Sequence, residues 1–168
     1  MGEFWNAAIF KKQNTVNVQE VLKKLAEGDN RFELIPEKCK FHDCEGGTAI
    51  EFNDHCIAFD EMAAALSQSL EGPVLVCDIY DGDYWDYWLY KSGKELSRFM
   101  TIPDYFEELD DQEKEQWCGN AELLSAEFGC PAEPLADYLC FWDETMPDKD
   151  TWEVLDFLRD LGFALEED

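Results

Sequence analysis

Two hydrophobic periods alternate along the chain. Residues 4–10 are aromatic and apolar and run into Lys11-Lys12-Gln13-Asn14, the pattern of a strand entering a turn. Val18, Val21, Leu22 and Leu25 then recur at helical spacing, with Asn17 and Glu20 placed as a capping pair and Gly28 as a stop. Residues 31–35, 48–52 and 55–59 read as short strands, the first two separated by a polar stretch over 36–47. Asp60 is positioned to cap a second helix whose inner face is Met62, Ala65, Leu66, Ser69 and Leu70, and Gly72-Pro73 ends it.

The centre carries the strongest β pattern. Residues 74–80, 84–90 and 95–102 are joined by Asp81-Gly82-Asp83 and by Lys91-Ser92-Gly93-Lys94. An Asp-Gly turn between such runs predicts a hairpin, because tight hairpin turns need residues that tolerate positive φ. The order β-α-β-β-α-β-β-β predicts an α+β fold, a ferredoxin-like core on an antiparallel sheet extended by a meander. After Pro103 the pattern turns helical: Asn120 begins a helix carrying Leu123, Leu124 and Phe128 that Gly129 closes, then come Leu135, Tyr138, Leu139 and Trp142, and last Trp152, Leu155, Leu158 and Leu161 before Gly162. These stripes must bury against something. The expectation is one domain over 1–168, with a sheet-and-helix core in 1–103 and residues 104–168 forming a C-terminal helical cap.

Strand 84–90 reads Tyr-Trp-Asp-Tyr-Trp-Leu-Tyr. Alternation puts Trp85, Tyr87 and Leu89 on one face and Tyr84, Asp86, Trp88 and Tyr90 on the other, so both faces carry large rings. One face must be core. The other is either covered by the C-terminal helices or left as an aromatic binding surface.

Charge sharpens the second alternative. There are 39 acidic residues against 13 basic, and the imbalance is uneven: 18 acids and 10 bases before residue 104, 21 acids and 3 bases from there on. Such a field repels nucleic acid and anionic lipid and speeds encounter with a basic partner. Apolar runs are far too short to span a bilayer, and the first residues carry no secretory or myristoylation signal, so a cytoplasmic protein is expected. The seven cysteines, odd in number and set within apolar segments, predict free and mostly buried thiols.

Four chemistries are conceivable for these residues. Cys39, His42, Cys44, His55 and Cys56 gather soft ligands, but without a CxxC spacing, and His55 and Cys56 would point to opposite faces of a strand. Asp78, Asp81, Asp83 and Asp86 offer oxygens for a cation, without the twelve-residue calcium-loop pattern. A hydrolase or metal-dependent enzyme would have to use His42 or His55, and neither lies in a motif that exposes a nucleophile. Gly46-Gly47-Thr48 lacks the lysine of a phosphate loop, so no cofactor is expected. What remains is binding, with a structural or adaptor subunit as the other alternative.

The segment from Val74-Leu75-Val76-Cys77-Asp78 through Trp88-Leu89-Tyr90 to Pro103-Asp104-Tyr105-Phe106, followed by Gly119-Asn120-Ala121-Glu122-Leu123-Leu124, resembles a group of uncharacterised bacterial proteins. Size, acidity and aromatic content are similar to those of immunity proteins of polymorphic toxin systems. The resemblance implies a cytoplasmic inhibitor that binds and blocks a basic toxin domain, and it transfers no catalytic residue. Trp88 and Tyr90 are the expected contacts, with Glu107, Glu108, Asp110 and Asp111 as their charged rim. The surface is expected where the aromatic meander meets the acidic helices.

Overall fold

The computed structural model describes residues 3–53 and 58–165. Its centre is a six-stranded antiparallel sheet in the order β2-β3-β1-β4-β5-β6. The strands are β1 (Trp5–Lys11), β2 (Lys40–Cys44), β3 (Gly47–Glu51), β4 (Val74–Tyr80), β5 (Tyr84–Lys91) and β6 (Lys94–Met100), with α1 (Thr15–Gly28) after β1 and α2 (Phe59–Ser69) after β3. The first four strands and two helices thus have the order and connections of a ferredoxin-like core, and β5 and β6 extend it as the expected meander.

Two differences from the sequence reading lie between the helices. Residues 31–35 form no strand: Asn30–Phe32 is a single 3-10 turn, capped by Asp29, that buries Phe32. The strand that pairs with β3 is β2, inside the stretch read as polar. Of the predicted strand 55–59, residues 55–57 lie outside the described residues and Phe59 opens α2. The capping residues also shift. Asn14, rather than Asn17, caps α1 by accepting from the Asn17 amide, and α2 begins after Ala58 without a side-chain cap. Gly47 marks a close approach between β1 and β3: its φ is +148°, and a Cβ there would lie 2.1 Å from the Phe10 carbonyl.

The sheet separates two cores. One face buries Ala8, Phe10, Ile50, Val74 and Val76 beneath Val18 and Leu22 of α1 and Met62, Ala63 and Leu66 of α2. The other buries Ile9, Leu75, Ile79, Trp85, Tyr87, Leu89 and Phe99 beneath the C-terminal helices. These are α4 (Ala121–Phe128), α5 (Ala132–Ala136) and α6 (Glu153–Asp160), preceded by the short, exposed α3 (Asp111–Glu115). Asn120 caps α4 and Gly129 ends it in the left-handed conformation, as their positions predicted. Rings on both faces of β5 therefore have a simple cause: the strand is covered by helices on both sides.

Hydrogen bonds fix the C-terminal layer to the sheet. The buried Trp85 indole donates to Glu153 of α6 at 2.8 Å, and Tyr87 Oη accepts from the Asn120 amide at 3.0 Å. No helix among the described residues is long and apolar enough to cross a membrane.

Candidate functional site: an aromatic patch and a buried carboxylate pair

The β4–β5 hairpin organises the most unusual surface of the molecule. Asp81 and Gly82 are both left-handed, with φ of 52° and 70°, so the chain reverses tightly and sets Tyr80 opposite Tyr84. Their rings stack at 5.3 Å. The Gly82 amide donates to the Glu3 carbonyl at 2.7 Å, which brings Phe4 edge-on to Tyr80 at 5.2 Å. On the far side, the Ile102-Pro103-Asp104-Tyr105 turn closes with a bond from the Tyr105 amide to the Ile102 carbonyl. It puts Tyr105 5.0 Å from Tyr84 and Phe106 5.2 Å from Tyr80. Five rings from four chain segments become one cluster.

Phe4 and Phe106 are 64% and 65% exposed, more than any other large apolar side chain described. Their chain neighbours are rich in acids, with Asp81, Asp83, Asp104, Glu107 and Glu108 close in sequence; Asp104 pairs with Lys114 at 3.4 Å, and Glu3 accepts from the Trp152 indole. Tyr105 donates its hydroxyl proton to Asp83 at 2.6 Å, and that bond, with the carboxylate charge, pushes the phenol up to about 12. Beyond Asp83 the surface dips into a cavity of about 570 Å³ lined in part by Asp83, Asp104, Trp142, Asp143 and Glu144. The buried Trp142 Nε1 has no hydrogen-bond partner.

The expected contacts are distributed differently. Glu107 and Glu108 are exposed beside Phe106, at the rim of the patch. Asp110 caps α3 by accepting from the Glu113 amide, and Asp111 is its first residue, both exposed. Trp88 lies farther along β5, half-buried and edge-on to Trp117 at 6.2 Å, and the Arg98 guanidinium stacks on the other ring of that pair. Tyr90, also half-buried, packs on the core beneath α1 and α2. Neither ring joins the five-ring cluster.

Two residues inward from Tyr80 and Tyr84, on the same sheet face, Asp78 and Asp86 are direct cross-strand partners. Asp86 is 1% exposed and its Oδ1 has no partner. Burial, with the neighbouring Asp78 and Asp60 charges, pushes the Asp86 carboxyl well above the usual range, and burial raises Asp78 to about 7. Asp78 in turn faces Asn6 of β1, whose Oδ1 is likewise buried and partnerless. Asp81 and Asp83 of the predicted acidic set stay on the hairpin turn, apart from this row.

The soft-ligand cluster does not assemble from its described members. His42 binds Glu51 Oε2 at 2.8 Å, and Glu51 also accepts from Trp5. Cys44 packs with the core under the C-terminal helices, whereas Cys39 packs with the opposite core and donates to the Ile35 carbonyl. His55 and Cys56 lie outside the described residues. No group of three or more His, Cys, Asp or Glu among the described residues is placed to hold a metal ion.

The thiols are also less buried than predicted. Cys77 is fully buried, Cys39, Cys130 and Cys140 are half-buried, and Cys118 is exposed. Burial pushes Cys39, Cys77, Cys118 and Cys130 upward, the opposite of an activated nucleophile.

The sequence reading missed the five-ring cluster because its members lie far apart in the chain. Asp78 and Asp86 were grouped from sequence with Asp81 and Asp83, and Asn6, which the β1–β4 register adds to the row, was not. The signal for that row was Asp86 itself, a charge in the middle of a strand with aromatic rings on both faces. No protein-family model matches the chain, and no curated protein or solved structure matches it either.

Proposed function

We propose that the protein is a non-catalytic binding module for a basic protein partner, acting as a cytoplasmic inhibitor of the immunity type that binds and blocks a toxin domain. One observation carries this reading: the two most exposed large rings, Phe4 and Phe106, meet on Tyr80 among chain neighbours rich in acids. Singly exposed apolar residues are ordinary, whereas a contiguous aromatic patch set in a predominantly acidic stretch of chain has the composition of an interface. The rings would supply desolvated contact area, and the acids would steer the encounter. The cavity beside Trp142, lined by Asp83, Asp104, Asp143, Glu144 and Lys149, would extend the contact.

The test is retention of a basic partner from the native host on immobilised protein, followed by binding kinetics with the partner so identified. Phe4→Ala with Phe106→Ala is expected to raise the dissociation rate by about 100-fold. Melting should be unchanged, because neither ring is in a buried core. Raising salt from about 0.05 to about 0.5 M should slow association at least tenfold. A double variant that binds as the wild type does would refute the site.

A further inference from the structure

The structure assigns a second site, independent of the partner surface: we propose that the row formed by Asn6, Asp78 and Asp86 is a binding site for one hard divalent cation. The three residues occupy adjacent strands in register, Asn6 opposite Asp78 and Asp78 opposite Asp86, and their side chains rise from the same face of the sheet. They present two carboxylates and one amide oxygen, the donor set preferred by magnesium, manganese and calcium. The set contains too few acids to form a carboxylate cage, so water must complete the coordination.

The orphaned acceptors distinguish this row from an ordinary acidic surface. Asp86 is 1% exposed, and its Oδ1 meets no donor. The Oδ1 of Asn6, at the opposite end of the row, is also buried without a partner. None of the ion pairs found among the described residues involves Asp78 or Asp86. A buried carboxylate without a counter-charge is costly, and two side by side are more so. Asp60, in the first turn of α2, adds negative potential at Asp86 rather than relieving it. The row opens to solvent at its other end, where Asn6 and Asp78 are only half-buried, so a small cation can enter without unfolding of the sheet.

The probe is manganese chloride added to the full chain after dialysis against a chelator, at about pH 8 and about 0.3 M potassium chloride, so that loosely held counterions are screened. Free manganese is read from its electron spin resonance signal. The expected result is one tightly held ion per chain, displaced by magnesium or calcium, with a melting temperature raised by about 5 °C or more. Asp86→Asn removes that ion, Asn6→Ser weakens it by about tenfold, and Asp148→Asn in the exposed loop before α6 leaves it intact. Should Asp86→Asn fold poorly, Asn6→Ser against Asp148→Asn still decides. Manganese held only weakly, or held equally by the wild type and by the row variants, would overturn the proposal. Partner binding does not enter this measurement, so either site can fail without the other.

Discussion

In chelated buffer at about pH 8, Asp86→Asn is expected to melt about 4–8 °C above the wild type, a gain of about 2 kcal/mol. Removing a buried charge normally destabilises because its partner is stranded, but among the described residues Asp86 has no ion-pair partner and its Oδ1 meets no donor. The isosteric amide keeps the volume and can donate to Asp78, so an unfavourable carboxylate pair becomes a hydrogen-bonded one. The sign of the pH dependence follows from the direction of the shifts. Asp78 and Asp86 both titrate above the ordinary aspartate value in the folded chain, so between about pH 4 and the folded values the native state holds more protons than the unfolded state. Wild-type stability therefore falls as pH rises through that window. The advantage of Asp86→Asn should be small near pH 4, grow as pH rises, and be complete only above the raised folded value of Asp86 itself. Paired thermal melts of the two proteins across that range measure it. An Asp86→Asn protein that melts below the wild type at every pH would mean that the Asp86 carboxylate has a stabilising partner after all.

A protein that keeps such a pair accepts a loss of stability at a defined place. Strained or unpaired groups persist where the surrounding structure holds them, and they concentrate at functional sites. The row sits directly behind Tyr80 and Tyr84, and burial, joined by the charges of both carboxylates, pushes the Tyr84 phenol upward.

How much of this was legible in the sequence depends on the range over which each feature is determined. The meander was legible because Asp81-Gly82 and Ser92-Gly93 determine their turns locally; Asp81, Gly82, Ser92 and Gly93 all have positive φ. The cap and stop of α4 were legible for the same reason. Strand β2 was not, because an edge strand exposes part of its length and can carry Lys40, His42 and Asp43 where a central strand needs apolar residues. Phe32 drew attention to the wrong segment: it is buried, but from a 3-10 turn packed beneath the helices. Tyr105 and Phe106, from the turn that opens the acidic segment, lie on Tyr80 and Tyr84. Which rings meet is set by the β1–β4–β5 register and by the Gly82–Glu3 bond, contacts of long sequence separation that no local pattern encodes.

The largest loss of stability is expected from Phe157→Ala, about 3–5 kcal/mol. Phe157 is fully buried and lies 5.1 Å from Trp85, 5.7 Å from Tyr87 and 5.8 Å from Tyr138. Its loss opens a cavity between α6 and the sheet, beside the Trp85–Glu153 bond. The exposed neighbour Asp156→Ala should change stability by less than about 0.5 kcal/mol, which separates packing from helix propensity. The manner of unfolding is as informative as its midpoint. Trp85, Tyr87 and Phe99 form a single buried cluster with Val154, Phe157 and Leu158, so residues 104–168 have no apolar core apart from the one they share with the sheet. Far-ultraviolet circular dichroism and tryptophan fluorescence should therefore give coincident transitions for both the wild type and Phe157→Ala, shifted together. Two separated transitions, with only the second unaffected by the substitution, would make the C-terminal helices an independent unit.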